Sequence, residues 1–516
     1  MSVSKDTICT SLLDRELTEL ERKKKGSPHD SHLLSQIAQA YNLRDMDREA
    51  IDLARQALRC DPRNDQAWFE LIIATAAAEE DKLTSIAQNC SRLIKEAPSL
   101  HWAHRNLALV SYYLEKRAEA EDAALRAMEL NPRDYATHLV LGYLYFARAE
   151  YDKGISYLKE SVKLNSVNPR AHWMVGHCYW ETGKIYQAKR YYQMSLQCEP
   201  HFVAAWNALG RLYLNQKGGF TRALRCFSRS LSINPQVPES YSTLADYYFG
   251  HKRYYEAVTE YLKLLSLEPE PRVKGEAHTQ IGLTFFTIGD YKSALKHYQL
   301  AITIYPTYPL PYYFSGLIHF NQKKFDEAIT LFNRAIETDP TFAWAYTKLG
   351  FTYLEKDEEQ RAAQYFQRAL KLDSREYWAH IGLSEFYRRK KKYAQQLEEC
   401  LKVVAIESED SDAHNYLGVA YECNQQYNQA IKEYTTALQL DSSNLSAASN
   451  LGSLCEKMVQ QGEDSLLDIA INAWKQYLLI CQHTRKPLED PLAHLRRLGV
   501  KEKTISLWLK KEGMEE

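Results

Sequence analysis

Residues 204–235 read AAWNALGRLYLNQKGGFTRALRCFSRSLSINP, and this stretch contains the pattern that decides the fold. Its apolar positions recur at intervals of three and four residues, which is the spacing of one face of an α-helix. Gly218 and Gly219 interrupt the pattern before it resumes, so the stretch predicts two helices joined by a turn. Asn234 followed by Pro235 ends the second helix, because the residue before a proline disfavours helical backbone angles.

The same pattern returns along most of the chain with a period of 34 residues. If Gly210 is counted as position 8 of its unit, a small residue stands at position 8 of thirteen consecutive units, and a large ring usually stands near position 24. The two helices of a unit are therefore expected to approach closely at a point where one side chain is nearly absent. One hairpin alone buries too little apolar surface to fold, so neighbouring units are expected to stack. The glycines at position 8 are Gly142, Gly176, Gly210, Gly282, Gly316, Gly350, Gly418 and Gly452.

This pattern resembles the tetratricopeptide repeat. The residues of the quoted stretch that match it are Trp206, Leu209, Gly210, Tyr213, Ala223, Phe227 and Pro235. The resemblance implies an all-α fold, an α-solenoid in which about thirteen helix-turn-helix units form a right-handed superhelix. It covers residues 31–481, with a degenerate second and thirteenth unit and with three extra residues near Glu270. Residues 1–30 are predicted to form an amphipathic N-terminal helix or cap, and residues 482–516 to form C-terminal capping helices or a tail.

The composition predicts a soluble protein without a general affinity for polyanions. The 516 residues include 65 Lys and Arg against 66 Asp and Glu, a formal net charge of −1. This balance gives no overall attraction to nucleic acid or to an anionic membrane. The sequence contains neither a long apolar run nor a signal-peptide pattern, which predicts no membrane span and a cytoplasmic location, with the nucleus left open. The ten cysteines are scattered without a CxxC pair, as is typical of a reducing compartment.

The sequence offers no catalytic, cofactor or metal motif. HExxH, GxGxxG, the Walker loop and the GxSxG elbow are all absent from it. Sixteen histidines might suggest acid–base or metal chemistry, but six of them stand at position 4, where the repeat family usually has tryptophan packed between the helices. We therefore predict that the protein is not an enzyme and holds no cofactor or metal. The position 4 histidines are His104, His138, His172, His278, His380 and His414.

The first helix of each unit supplies the candidate binding residues. In this family, positions 2, 5, 9, 12 and 13 line the inner face of the superhelix, and here units 4, 5 and 8–10 place large apolar side chains there. The resemblance implies an apolar groove that binds an extended or helical segment of another protein. The alternative is that these side chains contact one another or a second copy of the chain. The Lys and Asn pair with which related co-chaperones bind an acidic tail is missing at positions 5 and 9. The candidate groove residues are Leu139, Tyr143, Phe146, Trp173, Trp180, Leu283, Phe286, Tyr313, Leu317, Phe320, Trp344, Phe351 and Leu354.

Long arrays of this kind resemble the repeat subunits of the anaphase-promoting ubiquitin ligase and of ciliary transport and cargo assemblies. The implied function is a non-catalytic scaffold or adaptor that binds protein segments and assembles a multiprotein complex. Two alternatives remain open. The tail from His494 to Lys510 resembles part of a helix-turn-helix DNA reader, although only two helices are visible and a nucleic-acid partner is disfavoured. The second alternative is a substrate-recruiting accessory subunit of a separate enzyme. Homo-oligomerisation through the N-terminal units also remains open.

Overall fold

The computed structural model describes residues 17–512, and all regular structure in that range is helical. Thirteen helical hairpins follow one another and are numbered repeats 1–13 in chain order. The prediction of an all-α repeat fold is confirmed. The described residues form two compact units that meet in sequence between Pro269 and Glu270, where the sequence carries its three extra residues.

The first compact unit contains the first and second helices of repeats 1 to 7. They are Ser31–Leu43 and Asp47–Cys60 in repeat 1, Asp65–Ala78 and Leu83–Glu96 in repeat 2, His101–Tyr113 and Arg117–Leu130 in repeat 3, Tyr135–Ala147 and Tyr151–Leu164 in repeat 4, Pro169–Glu181 and Ile185–Cys198 in repeat 5, Val203–Leu214 and Phe220–Ile233 in repeat 6, and Pro238–Gly250 and Tyr254–Ser266 in repeat 7. A short 3-10 turn, Glu80–Lys82, precedes the second helix of repeat 2.

The second compact unit contains repeats 8 to 13 and two further helices. The repeats are Pro271–Thr287 and Tyr291–Ile304 in repeat 8, Pro309–Asn321 and Phe325–Thr338 in repeat 9, Ala343–Glu355 and Glu359–Leu372 in repeat 10, Tyr377–Arg389 and Tyr393–Ile406 in repeat 11, Ser411–Cys423 and Tyr427–Leu440 in repeat 12, and Leu445–Gln460 and Leu467–His483 in repeat 13. A 3-10 turn, Asp464–Leu466, lies between the helices of repeat 13. The two further helices are Glu489–Arg497 and Glu502–Glu512.

Within a repeat, a large side chain of the second helix packs on the glycine of the first helix. A methyl group placed on Gly350 would lie 2.5 Å from Cε1 of Phe366, far closer than carbon atoms approach without a bond. A methyl group on Gly382 of the next repeat would also overlap the Phe366 ring. The missing side chain therefore sets how closely the helices approach. The equivalent contacts are Gly142 with Leu158, Gly176 with Tyr192, Gly210 with Phe227, Gly282 with Tyr298, Gly316 with Phe332, Gly418 with Tyr434 and Gly452 with Trp474.

In most repeats, a ring with a polar tip at position 4 ties the first helix to the turn that precedes it. Trp206 donates from Nε1 to the carbonyl oxygen of Pro200 at 2.9 Å, and His172 Nε2 lies 2.9 Å from the carbonyl oxygen of Ser166. Tryptophan, histidine and tyrosine all suit this position because each carries a hydrogen-bonding atom at the ring's end. The position 4 histidines in these contacts are therefore structural. The same contact joins His104 to Pro98, His138 to Pro132, His380 to Ser374, His414 to Ser408, Tyr312 to Pro306 and Tyr346 to Pro340.

Pairs of tyrosines join the two helices of several repeats at another point. The rings of Tyr353 and Tyr365 stack with centroids 5.3 Å apart, and those of Tyr145 and Tyr157 stack at 5.4 Å. Each pair is separated by the same sequence distance, so the pairs occupy equivalent places in their repeats. Aromatic pairs at this separation stabilise a protein by more than the burial of their apolar area alone would. These contacts account for part of the excess of 36 Tyr over 16 Phe.

Repeat 8 has a pair of histidines that links its two helices. His278 Nδ1 lies 3.1 Å from His297 Nδ1, and the His297 ring stacks on Phe285 with centroids 5.7 Å apart. Burial, with smaller effects from His278 and Lys296, lowers the pKa of His297 to about 4. An unfolded histidine has a pKa near 6.5, so the unfolded chain binds the proton first as the pH falls. The stability that neutral His297 contributes is therefore present above about pH 6.5 and is lost as the pH falls towards 4.

We expect His297→Gln to reduce the loss of stability on mild acidification, because glutamine has no proton to bind in this range. The measurement is the urea midpoint at about pH 7 and about pH 5, compared between the variant and the unmodified protein. His29→Gln is the matched control, since His29 is exposed. Equal pH dependence in all three proteins would contradict the assignment of this acid sensitivity to His297.

Repeats that are distant in sequence contact each other inside the first compact unit. Asn234, at the end of repeat 6, donates from Nδ2 to the carbonyl oxygens of Arg44 and Asp45 in repeat 1, at 3.1 and 3.0 Å. Side chains from repeats 2 and 5 also meet inside this unit, as the ion pair of Glu70 with Arg170 shows. The inner positions of this unit therefore face other repeats of the same unit.

The N-terminal segment packs on the first repeat where it is described. Residues 1–16, which hold the first part of the predicted N-terminal helix, lie outside the described residues. Residues 17–26 are helical, and Leu17 and Leu20 pack against the buried cluster that includes repeat 1. Tyr41 of repeat 1 donates a hydrogen bond from its hydroxyl to Glu21 at 2.6 Å. These contacts support a capping role for the segment.

The two C-terminal helices pack on repeat 13. Leu495 and Ile505, one from each helix, belong to the same buried cluster as Trp474 of repeat 13. The His494 ring stacks on Trp474 with centroids 3.8 Å apart. Each of the two helices thus buries apolar side chains against repeat 13.

Candidate functional site

The candidate groove residues fall into two sets, one in each compact unit. The set in the first unit is Leu139, Tyr143, Phe146, Trp173 and Trp180. The set in the second unit is Leu283, Phe286, Tyr313, Leu317, Phe320, Trp344, Phe351 and Leu354. The two sets differ in how much of their side chains is exposed.

Two of the three groove residues on the first helix of repeat 4 are covered. Leu139 and Tyr143 are only 1% and 6% exposed. The Tyr143 ring stacks on Tyr112 of repeat 3 with centroids 6.1 Å apart, and burial raises the pKa of its hydroxyl. These two side chains hold the unit together and present almost no surface to a partner.

The remaining residues of the first set are half-buried: Phe146, Trp173 and Trp180. Trp173 packs edge-on against His177, with ring centroids 4.6 Å apart, and against Phe202 at 5.7 Å. Burial lowers the pKa of His177 to about 4, with a smaller effect from Arg211, so this ring is neutral where it contacts Trp173. The first set is thus covered in part by neighbouring rings of the same unit, such as Tyr112, His177 and Phe202.

A buried ion pair, missed by the sequence analysis, crosses the inside of the first unit. Arg170 of repeat 5 donates to both carboxylate oxygens of Glu70 in repeat 2, at 3.0 and 2.8 Å. Asn42 of repeat 1 donates to the same carboxylate at 2.7 Å. Burial alone would lower the pKa of Arg170. The charge of Glu70 and its hydrogen bonds together outweigh this effect, so the pKa of Arg170 lies above its ordinary value. Each charge of the pair thus has its counter-charge within hydrogen-bonding distance.

A second buried arginine lies beside the first. Arg105 of repeat 3 donates to Asp65 at 2.8 Å and to Asp134 at 3.2 Å. Its guanidinium lies 5.3 Å from the Phe69 ring, which Arg170 approaches from 6.0 Å. These side chains line a polar cavity of about 440 Å³. The inside of the first unit is therefore charged, whereas the sequence pattern predicted an apolar groove.

The second set is more exposed. Tyr313 and Leu354 are buried, whereas Trp344 is 52% exposed. The half-buried members are Leu283, Phe286, Leu317, Phe320 and Phe351. Trp344 of repeat 10 is therefore the most exposed of these candidate residues.

Trp378 extends this surface, although it was not among the candidate residues. It is 47% exposed and is the second residue of the first helix of repeat 11. Trp344 is the second residue of the first helix of repeat 10, 34 residues earlier. The repeat register alone would have found it. We define the aromatic surface as Tyr313, Phe342, Trp344, Lys348, Phe351 and Trp378.

Three rings of the aromatic surface, those of Tyr313, Phe342 and Trp344, form one connected group on repeats 9 and 10. Phe342 lies 5.3 Å from Tyr313 and 5.8 Å from Trp344, measured between ring centroids. Tyr313 and Trp344 are 6.3 Å apart. Trp344 is the exposed member of this group, so its indole is the part that a partner would meet.

Lys348 connects this group to repeat 11. It stands one helical turn after Trp344, and its ammonium lies 5.6 Å from the Phe351 ring and 5.8 Å from the Trp378 ring. Phe351 packs in turn on the buried ring of Phe366, with centroids 5.0 Å apart. The exposed anchors thus stand on rigid helices, which limits the entropy that binding would cost.

Other kinds of site find little support in the part of the chain that the structure describes. Among residues 17–512, no group of three or more histidine, cysteine, aspartate or glutamate side chains is arranged to hold a metal ion. Over the same range, no helix combines the length and the apolar character needed to cross a membrane.

Family models agree with the geometry of the repeats. Models described as tetratricopeptide repeat match residues 105–169, 169–200, 238–271, 275–308, 345–376 and 411–444, and one described as TPR repeat matches residues 316–357. The chain belongs to the tetratricopeptide repeat family. Repeats of this family generally mediate binding to other proteins.

Curated relatives of this tetratricopeptide repeat protein share only part of its length. The BBSome complex member BBS4 of Bos taurus is 24% identical over 201 residues, which are 39% of this chain and 38% of the relative. Protein O-mannosyl-transferase TMTC3 of Homo sapiens is 25% identical over 217 residues, which are 42% of this chain and 24% of the relative. The chain thus spans well under half of each relative. The family is mostly non-catalytic, although the second relative is named as a transferase.

One solved structure aligns with most of the chain. A chain in the crystal structure of the APC/C hetero-tetramer Cut9-Hcn1 aligns with 82% of this protein and 96% of its own length, at 13% identity and a TM-score of 0.40. The likeness concerns the fold only.

Proposed function

We propose that this tetratricopeptide repeat protein is a non-catalytic scaffold or adaptor that binds a segment of another protein on the aromatic surface of repeats 9 to 11. The observation that carries the proposal is the exposure of Trp344 and Trp378 at the same place in successive repeats. Large exposed indoles in a row are costly to leave in water and are the commonest anchors of protein interfaces.

The chemistry of the surface supports binding rather than catalysis. It presents aromatic rings and one lysine, and its side chains serve as anchors for a partner. Curated relatives that match the repeats include a member of the BBSome complex, which is consistent with a role in a multiprotein assembly. We extend to this chain only the general role of holding another protein.

We expect the double variant W344A and W378A to lose its partner while keeping its fold. Removing a tryptophan anchor typically costs about 2 kcal/mol or more, so two removals reduce the amount of bound partner at least about tenfold. The measurement is quantitative mass spectrometry of proteins that co-purify with the tagged variant and with the unmodified chain. Thermal melting is expected to change little, because both indoles are about half exposed.

Tyr186 provides the matched control, since it is 78% exposed and lies in the first compact unit. The variant Y186A is expected to retain the partner. Equal loss of the partner in Y186A, or full retention in the double tryptophan variant, would contradict the proposed surface.

A further inference from the structure

Lys348 is the only charged member of the aromatic surface. It lies between the two exposed indoles: Trp344 precedes it by one helical turn, and the Trp378 ring is 5.8 Å from its ammonium. Trp344, Lys348 and Phe351 share one face of the first helix of repeat 10, so the methylene groups of Lys348 lie along that face. A segment that contacted both indoles would therefore pass over this ammonium.

The charge of Lys348 is only partly compensated within the protein. Burial lowers the pKa of Lys348, and the charge of Glu376, acting through space, opposes this effect. Burial and the charge of Asp373 raise the pKa of Glu376, so ionisation of this carboxyl is itself disfavoured. The rings of Phe351 and Trp378 attract the ammonium but supply no carboxylate oxygen.

We propose that Lys348 receives a carboxylate from the bound segment, and that the segment flanks this carboxylate with bulky apolar residues that pack on Trp344 and Trp378. The inference rests on the proposed function and specifies the partner's chemistry. A carboxylate beside a partly desolvated ammonium forms a charge-assisted hydrogen bond, which is stronger than one between neutral groups. A lysine or arginine at the same place would be repelled by Lys348.

The spacing of the repeats restricts the segment further. The first helices of repeats 10 and 11 contact each other, and packed helices have axes about 8–10 Å apart. A polyproline-II segment advances about 3.1 Å per residue with three residues per turn, so side chains three positions apart stand on the same side, about 9 Å from each other. The expected segment is extended in this form and carries two bulky apolar residues about three positions apart, with Asp or Glu between them.

The test begins with a displayed library of short random peptides, selected on the full chain. Enrichment of Asp or Glu between bulky apolar residues supports the proposal, and enrichment without acidic residues overturns it. The same selection on the double variant W344A and W378A separates the two claims. If the unmodified chain enriches no peptide, or the double variant enriches the same peptides, the proposed surface fails and this inference fails with it.

The role of Lys348 is then measured by fluorescence anisotropy with an enriched peptide. We expect K348M to weaken binding about tenfold or more and K348R to stay within about threefold, because arginine keeps the charge. K432M is the control, since Lys432 is exposed on the second helix of repeat 12. Unchanged affinity in K348M, with a melting curve like that of the unmodified chain, would overturn the proposal while leaving the aromatic surface intact. Equal weakening in K432M would also overturn it.

Discussion

Glu70→Ala is expected to lower the free energy of unfolding of the first compact unit by about 3–5 kcal/mol, the usual cost of removing one partner from a buried ion pair. Both side chains are buried, with Glu70 only 1% exposed. Its removal leaves the guanidinium of Arg170 without its carboxylate partner and takes away one of the two acceptors of Asn42, which also donates to the backbone carbonyl oxygen of Glu70.

Replacing both partners of the ion pair has a different expected outcome from replacing Glu70 alone. Replacing both partners together, as in E70L with R170M, removes the charge and its partner at once and is expected to recover most of the loss. Urea unfolding gives the free energy, and peptide-resolved hydrogen exchange locates the change in repeats 2 and 5.

Glu160→Ala is the matched control for the single replacement. Glu160 pairs with Lys163 at 3.0 Å, and both side chains are exposed. An exposed pair contributes about 0–1 kcal/mol. If E70A cost no more than E160A, the ion pair inside the first unit would not stabilise it, and the description of that unit would be wrong.

Gly350→Leu is expected to lower the free energy of unfolding of the second compact unit by about 3 kcal/mol, at the upper end for an overpacked core. Even the first carbon of the new side chain would lie 2.5 Å from the Phe366 ring. The ring has no room to retreat, because a methyl group on Gly382 would also overlap it. Leucine favours a helix over glycine by about 1 kcal/mol, which is too little to offset the overlap.

Gly250→Leu isolates the effect of contact from the effect of helix propensity. Gly250 ends the first helix of repeat 7, and nothing lies within 4 Å of where its Cβ would be. We expect this variant to stay within about 0.5 kcal/mol of the unmodified protein. The companion change Phe366→Leu is expected to restore part of the stability of G350L by making room. Equal effects of G350L and G250L in urea unfolding would refute the role of the glycine contact.

The helices and the repeat register could be predicted because the contacts that hold a repeat together are local and periodic. Gly350 and Phe366 stand in the same relation as Gly316 and Phe332, and each pair is visible in the sequence at one fixed separation. The carbonyl contacts of position 4 repeat in the same way. Such positions can be predicted without knowing how the repeats curve.

The candidate site was harder to predict because exposure depends on contacts between distant repeats. Tyr143 and Trp344 both belong to the inner positions of the repeat, yet the first is covered and the second is exposed. The ion pair of Glu70 with Arg170 joins residues 100 positions apart and leaves no periodic trace. Trp378, in contrast, was within reach of the sequence, since it repeats the place of Trp344.

The central claim is that repeats 9 to 11 contact a partner through their exposed indoles. The most direct measurement is photo-crosslinking with benzoylphenylalanine placed at Trp378 and, separately, at Tyr186, both of which are exposed. We predict a covalent adduct to one segment of the co-purifying partner from position 378 and none from position 186. An adduct from position 186 alone, with the partner still bound, would contradict the account.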